Sequence, residues 1–327
     1  MAIAANGGAP PFGRSITQGQ KVTLTLFVEQ CLNGLQLGLM LFLLAAGLTL
    51  VFGIMDMINL AHGSLYMIGA YIAASAIQAS GSFIVGATIA VLATAAIGAL
   101  LEMSVLRSLY RRSHLSQVLA TFALILIANE IVRLVWGAQP ILLNTPDALS
   151  GPVEPVPGFR YPAYRLAVIL VGVGVAALLY VLVAHTRLGM RVRAGASDRD
   201  MANVMGVDTR RLFTGVFAFG AGLCALAGAM LGPLLAVQVG MGENILILAF
   251  VVIVIGGIGS IRGALVGALL VGIVDTAGRA FLPGALRGVL APSVASEVGP
   301  ALASILIYVM MVAVLYFRPR GLFPARG

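Results

Sequence analysis

The sequence predicts an all-α polytopic membrane protein with about nine apolar spans (roughly eight to ten), and three observations predict it. Apolar residues fill 60% of the 327 positions and charged residues only 10%, with a mean hydropathy of +1.04. The apolar residues come in long runs, most of them near the ~20 residues that a membrane helix needs. Forty glycines suit helix packing in lipid, where small residues let backbones approach. The length fits one integral bundle without an added soluble domain. A net charge of +8 raises the question of nucleic acid. The basic residues are scattered between apolar spans, however, as topology-setting arginines are, so no nucleic-acid partner is expected.

Residues 1–21 are polar and rich in Gly and Pro, without the apolar core of a signal peptide, and are expected to form a disordered tail. The transmembrane domain follows over 22–318, with a C-terminal tail at 319–327. Its apolar spans are 24–53, 63–80, 83–105, 115–136, 163–184, 212–238, 245–258, 264–282 and 300–317. The first is long, and Asn33-Gly34 is a candidate point for dividing it into an interfacial piece and a span. The seventh is short and runs into Gly256-Gly257, a candidate re-entrant segment. Cys31 and Cys224 both sit inside spans and read as free thiols.

Arginine sets the orientation. Arg107, Arg111 and Arg112 flank the third span, and Arg187, Arg191, Arg193, Arg199, Arg210 and Arg211 crowd the fifth loop. Arg262, Arg318, Arg320 and Arg326 fall on the same face if nine spans alternate. Far fewer basic residues, among them Arg14, Lys21, Arg160, Arg165 and Arg287, fall opposite. The positive-inside rule makes the crowded face cytoplasmic, with the N-terminus outside and the C-terminus inside. The outer loop 138–162 contains Pro140, Pro146, Pro152, Pro155, Pro157 and Pro162. These forbid a regular helix and leave two readings, a stiff cap on the outer mouth or an ordinary connector.

Two hairpins are broken by polar or glycine-rich turns. In the first, Gly47 to Ala74, a polar stretch from Asp56 to Ser64 interrupts apolar flanks. Non-helical backbone at membrane depth is tolerated only where protein buries it or a watery cavity receives it. Asn59, His62 and Ser64, with Gly63 and Gly69 permitting close helix approach, are therefore candidates to line a path. The alternative is that Asn59 and His62 merely satisfy helix ends exposed by the break. The second hairpin, Ile245 to Gly272, turns at Gly256-Gly257-Ile258-Gly259-Ser260. Those residues are path candidates too, though glycines there also serve φ > 0 and tight packing. Equal orientation of the two hairpins suggests halves related by an axis along the membrane normal.

The loop 185–211 is the most informative soluble stretch. Ser197 and Asp200 form a variant capping box, and Asp198 favours the positive helix start. Met201, Val204 and Met205 then share one face, Ala202 lies in the same turn, and Gly206 supplies a left-handed stop. The expected product is a helix of about eight residues, ~12 Å long. Its apolar knob would either lie on lipid headgroups or fill a groove on a cytoplasmic partner. Within the spans, Glu130 with Arg133 and Asp275 with Arg279 have spacings that let each pair neutralise itself on one helix face. Lys21, the sole lysine, lacks a phosphate-loop context, and neither HExxH nor CxxC occurs. A Ser260–His62 hydrolytic dyad is weak because Ile261 stands where a rhomboid-like GxSG requires glycine.

With these residues in view, the chain resembles the membrane permeases of branched-chain amino-acid ABC importers, and the related urea and amide permeases. Four blocks carry the resemblance: GLTLVFGIMDMINLAHGSLYMIGAY, RAGASDRDMANVMGVD, VIVIGGIGSIRGALVGALLVG and RPRGLF. It implies a permease bundle in a bacterial inner membrane, paired with a second permease subunit. It also implies two cytoplasmic ATPases docked on loops like 194–207, and a periplasmic binding protein that delivers substrate. ATP and Mg²⁺ would then belong to the partner subunits, with no cofactor held by this chain. The competing expectation is an ion-coupled secondary transporter or channel working alone, which an unpaired carboxylate at membrane depth would favour.

Overall fold

A computed structural model describes residues 15–55, 57, 59–110, 112–156 and 159–323. Arg14, Asp56, Arg111, Pro157 and Arg326 lie outside the described residues. In chain order the elements begin with α1 (Ser15–Met55), α2 (His62–Ser80) and α3 (Phe83–Leu101). The third helix runs through a π-turn, Glu102–Leu106, into a last turn, α4 (Arg107–Leu109), before α5 (His114–Trp136). A hairpin of β1 (Pro152–Val156) and β2 (Phe159–Pro162) precedes α6 (Ala163–His185), α7 (Arg187–Ser197) and α8 (Arg199–Val204). The last four helices are α9 (Thr209–Leu231), α10 (Met241–Gly256), α11 (Ile261–Leu286) and α12 (Pro292–Phe317).

Nine of these helices coincide with the nine expected spans. By length and composition, seven of the described helices are long and apolar enough to cross a membrane. The other two adjoin the breaks. His62, Ser64, Ser75, Gln78 and Ser80 dilute the apolar character of α2, and α10 has only 16 residues, about 24 Å of rise.

The centre of the bundle is α1, whose residues from Leu39 to Met55 are almost all buried. A helix apolar all round is stable only when neighbours surround it, and α6, α9, α10 and α11 do so. The outer helices α3, α5, α6 and α12 each expose large apolar side chains, such as Leu92, Leu134, Leu170 and Val312, the surface lipid requires. Contrary to expectation, Asn33-Gly34 does not divide the first span: α1 is one unbroken helix of 41 residues. Gly34 lets the Ile273 backbone approach, since an added Cβ would stand 2.8 Å from Ile273 Cα. The Asn33 amide oxygen accepts bonds from the Tyr161 hydroxyl at 2.9 Å and the Arg165 guanidinium at 2.6 Å, so it does not compete for the helix backbone. The helix also begins earlier than expected. Residues 15–21, read as tail, are helical because the segment holds no proline and extends a helix already nucleated.

The proline-rich loop is tethered to the bundle. Besides the Asn33 contacts, Ile141 and Val237 exchange two backbone hydrogen bonds, and β1 pairs antiparallel with β2. At the opposite end the arginine-rich segments converge. Arg199 donates to the Ile54 carbonyl at 3.0 Å, and its guanidinium lies over the Phe213 ring. Arg262 lies over Tyr180, and the Leu322 and Phe323 amides donate to the Ile255 and Gly256 carbonyls, both at 2.9 Å. The ends of α1, α6 and α10, residues 110, 112 and 113, the α7–α8 pair and residues 320–323 thus form one basic end.

Candidate functional site

The first break is enclosed by protein. Met57, Asn59, Ala61 and His62 are buried, the condition under which membrane-depth backbone can leave the helix. Asn59 folds the turn locally, its amide oxygen accepting from the Ala61 N–H at 3.1 Å. His62 opens α2 deep in the bundle. Cβ atoms built on Gly47 and Gly220 would stand 2.8 Å from its Nε2 and 3.3 Å from its Cε1. Those glycines lie about 12 Å up α1 from Met55 and about 16 Å up α9 from Thr209. The Phe217 ring meets the imidazole edge-on, with centroids 6.1 Å apart. Among the described residues, neither imidazole nitrogen nor Asn59 Nδ2 has a hydrogen-bond partner. Next to them Ser64 is buried, and Gly63 admits α10, whose Gly242 carbonyl oxygen would stand 2.5 Å from an added Cβ.

The second break is built from backbone. Gly257 and Gly259 have φ of +107° and +82°, a region that favours glycine. A Cβ on Gly256 would stand 2.3 Å from the Gly263 carbonyl, so α10 and α11 touch through bare backbone. Ser260 caps α11, accepting from the Gly263 N–H at 3.1 Å. Of the eight candidate path residues, the two breaks therefore form two separate groups. Asn59, His62, Gly63 and Ser64 lie at the start of α2, among α1, α9 and α10. Gly256, Gly257, Gly259 and Ser260 lie at the basic end, beside Gly53 and residues 320–323.

The basic end carries the expected knob, built differently from the expectation. Ser197 is the last residue of α7, and the cap of α8 is Asp198, whose Oδ1 accepts from the Met201 N–H at 2.9 Å. The helix therefore has six residues rather than about eight. Asp200 is in its first turn, where an acidic side chain suits the positive helix end. Gly206 stops it with φ +86°. Ala202 is buried against the bundle, while Met201, Val204 and Met205 are 59%, 82% and 77% exposed. Asn203 ties the knob to α9 by accepting from the Thr209 hydroxyl at 2.8 Å. A fixed apolar tip thus stands out from the most arginine-rich surface of the molecule.

Residues 30–315 match the family described as branched-chain amino acid transport system / permease component. The chain belongs to this family. It is 32% identical over 276 residues to the high-affinity branched-chain amino acid transport system permease protein LivH of Escherichia coli, covering 78% of this chain and 87% of that one. It is 29% identical over 308 residues to the corresponding permease protein BraD of Pseudomonas aeruginosa, covering 90% and 95%. A probable permease protein LivH of Methanocaldococcus jannaschii is 27% identical over 251 residues, covering 72% and 76%. No solved structure matches.

Two features of this permease escaped the sequence. Glu102, fully buried in the π-turn, accepts from Arg107 at 2.9 Å, the Tyr110 hydroxyl at 2.7 Å and the Thr214 hydroxyl at 2.6 Å. It fastens α3 to the first turns of α9, directly after the knob. Gln117, also buried, donates to the Leu109 and Arg112 carbonyls, each at 3.2 Å. The acidic pairs that were foreseen are present: Glu130 with Arg133 at 3.1 Å and Asp275 with Arg279 at 2.8 Å. Arg279 also donates to Ser304 of α12 at 3.1 Å.

Proposed function

We propose that this permease forms the membrane path of an ATP-driven importer for branched-chain amino acids or related small amino acids and amides. The observation that carries the coupling half of this reading is the knob. Met201, Val204 and Met205 are held out by the Asp198 cap, the Gly206 stop and the Asn203–Thr209 bond, and a methionine-tipped surface suits a groove on a partner. With the basic end cytoplasmic, as in a bacterial inner membrane, Ser197 to Gly206 faces the compartment that holds ATP. Two ATPases there would bind ATP and Mg²⁺, and this chain would need no cofactor of its own. A second permease subunit and a periplasmic binding protein complete the assembly. The names of the LivH and BraD relatives support the substrate class.

In this mechanism, closure of the ATPases moves α8, and the caps that fix it pass the motion to α1 and α9. Arg199 reaches the end of α1, and Asn203 the start of α9. Those are the helices that flank His62, so the element that moves and the polar break share neighbours. Among the described residues the buried carboxylates are Glu102 and Asp275, each ion-paired, so neither of these two is free to drive an ion-coupled cycle.

Met205→Glu tests the reading. Burying a methionine stabilises by about 1.5–3 kcal/mol, and a charge in its place opposes docking. The variant should insert and fold normally, since position 205 is exposed, yet lose ATPase co-purification and ATP-driven uptake. Asp208→Asn should do much less, because asparagine caps α9 as well as aspartate does. Full uptake by Met205→Glu would remove α8 from the coupling path.

A further inference from the structure

At the basic end, outside the Asn59–His62 region, the end of α1, the start of α5 and the α7–α8 junction enclose a cleft of about 560 Å³. Small-molecule sites are commonly of this size. Gln117, only 2% exposed, lines it. The two carbonyls that accept from its Nε2 fix the orientation of the amide, which leaves Oε1 as a buried acceptor without a partner among the described residues. A buried acceptor left unmade is costly, so the cleft calls for a hydrogen-bond donor. Arg112, Arg199 and His114 line the same space, and none of the described lining residues is acidic. The C-terminal end of α1, Phe52 to Met55, also lines the cleft and brings the negative end of its dipole to it.

A donor group that must meet Gln117 Oε1 and an anionic group that must meet arginine describe one zwitterion. We propose that this cleft is a second site, for a free α-amino acid, distinct from the path. The ammonium group donates to Gln117 Oε1, near the negative end of the α1 dipole. The carboxylate pairs with Arg112, with Arg199 beside it. Inorganic phosphate meets the arginines but brings no cationic donor to Gln117. Bound there, the amino acid braces the start of α8 against α1 and α5. This consequence rests on the coupling role proposed for α8, and it makes the site a brake applied by imported substrate that has accumulated on the basic side. Binding itself does not depend on that reading.

The test uses the full chain in nanodiscs, carrying Cys31→Ser and Ala196→Cys, with Cys224 left buried. Maleimide labelling of position 196 is followed with L-leucine, leucine amide or 4-methylpentanoate present. L-Leucine should slow labelling. The amide lacks the carboxylate and 4-methylpentanoate the ammonium group, so each should protect about tenfold or more weakly. Gln117→Leu and Arg112→Gln should each weaken protection by leucine to a similar degree, and Arg112, being exposed, carries the test if the Gln117 variant does not fold. Asn59→Leu should leave protection unchanged. Equal protection by 4-methylpentanoate would reduce the cleft to an anion site, and absence of protection would leave it holding water only. Loss of protection in Asn59→Leu would make the cleft the mouth of the path. Each of those three results overturns the proposal, and so does full protection in both the Gln117 and Arg112 variants. Failure of the Met205→Glu prediction would leave this assay untouched and remove only the brake.

Discussion

The break at 56–61 and the break at 257–260 occupy equivalent places in their hairpins and spend their polar groups in opposite ways. In the second, two positive-φ glycines make the turn, Ser260 caps the next helix, and residues 322 and 323 take up the last carbonyls of α10. No side-chain polar atom of that turn is left buried and unpaired among the described residues. In the first, Asn59 makes its turn with one oxygen, while Asn59 Nδ2 and both His62 nitrogens remain without partners among the described residues. A polar residue in a membrane break is therefore no sign of a site by itself. The informative sign is polar capacity left over after the backbone has been served.

What the breaks share is backbone packing, and the largest expected effect lies there. Gly256→Ala places a Cβ 2.3 Å from the Gly263 carbonyl, where only a shift of one helix relieves the clash. Overpacking usually costs about 1–3 kcal/mol, and with backbone on both sides the cost should reach or pass the top of that range. Little folded protein should survive size-exclusion chromatography in detergent. Gly284→Ala, on α11 with nothing within 4 Å, should behave as wild type. Gly63→Ala should fail as Gly256→Ala does, through the Gly242 carbonyl. A normal melting temperature for Gly63→Ala alone would show that the first break is held more loosely than the second.

The spans were legible because long apolar runs need no tertiary context, and the stop at Gly206 because a left-handed residue advertises itself. What escaped depended on distance or on unusual spacing. Glu102 pairs with Arg107 five residues on, a π-turn spacing, and with Thr214 far along the chain. Helix α7 was missed because its buried positions, Gly189, Val192 and Gly195, are small and form no apolar stripe. That omission moved the cap from Asp198 to Ser197. The β-hairpin lies in a segment whose prolines hide any strand pattern. The unspent nitrogens of His62 follow from Gly47 and Gly220, which no local window contains.

The sharper test of the comparison is His62→Leu. Removing a buried polar group that has no partner among the described residues costs little and can stabilise, so the melting temperature should hold or rise. If the leftover polarity serves transport, uptake by the assembled importer should fall by about tenfold, and His62→Gln should retain more of it. Unchanged uptake in His62→Leu would reduce the imidazole to filler between two glycines.

The smallest effect is expected at Ser260, and its size is the point. Its hydroxyl is already committed to the Gly263 N–H, so Ser260→Ala should behave as the loss of a helix cap, about 1 kcal/mol. That corresponds to a melting temperature lower by roughly 2 °C. Uptake per folded molecule should not change, and Ser260→Asp, which keeps a capping oxygen, should restore the stability. Both variants place the same demand on the turn and differ in the chemistry they would offer a substrate. A fall in uptake at unchanged melting temperature would place Ser260 on the path, and the second break would then be as polar in function as the first.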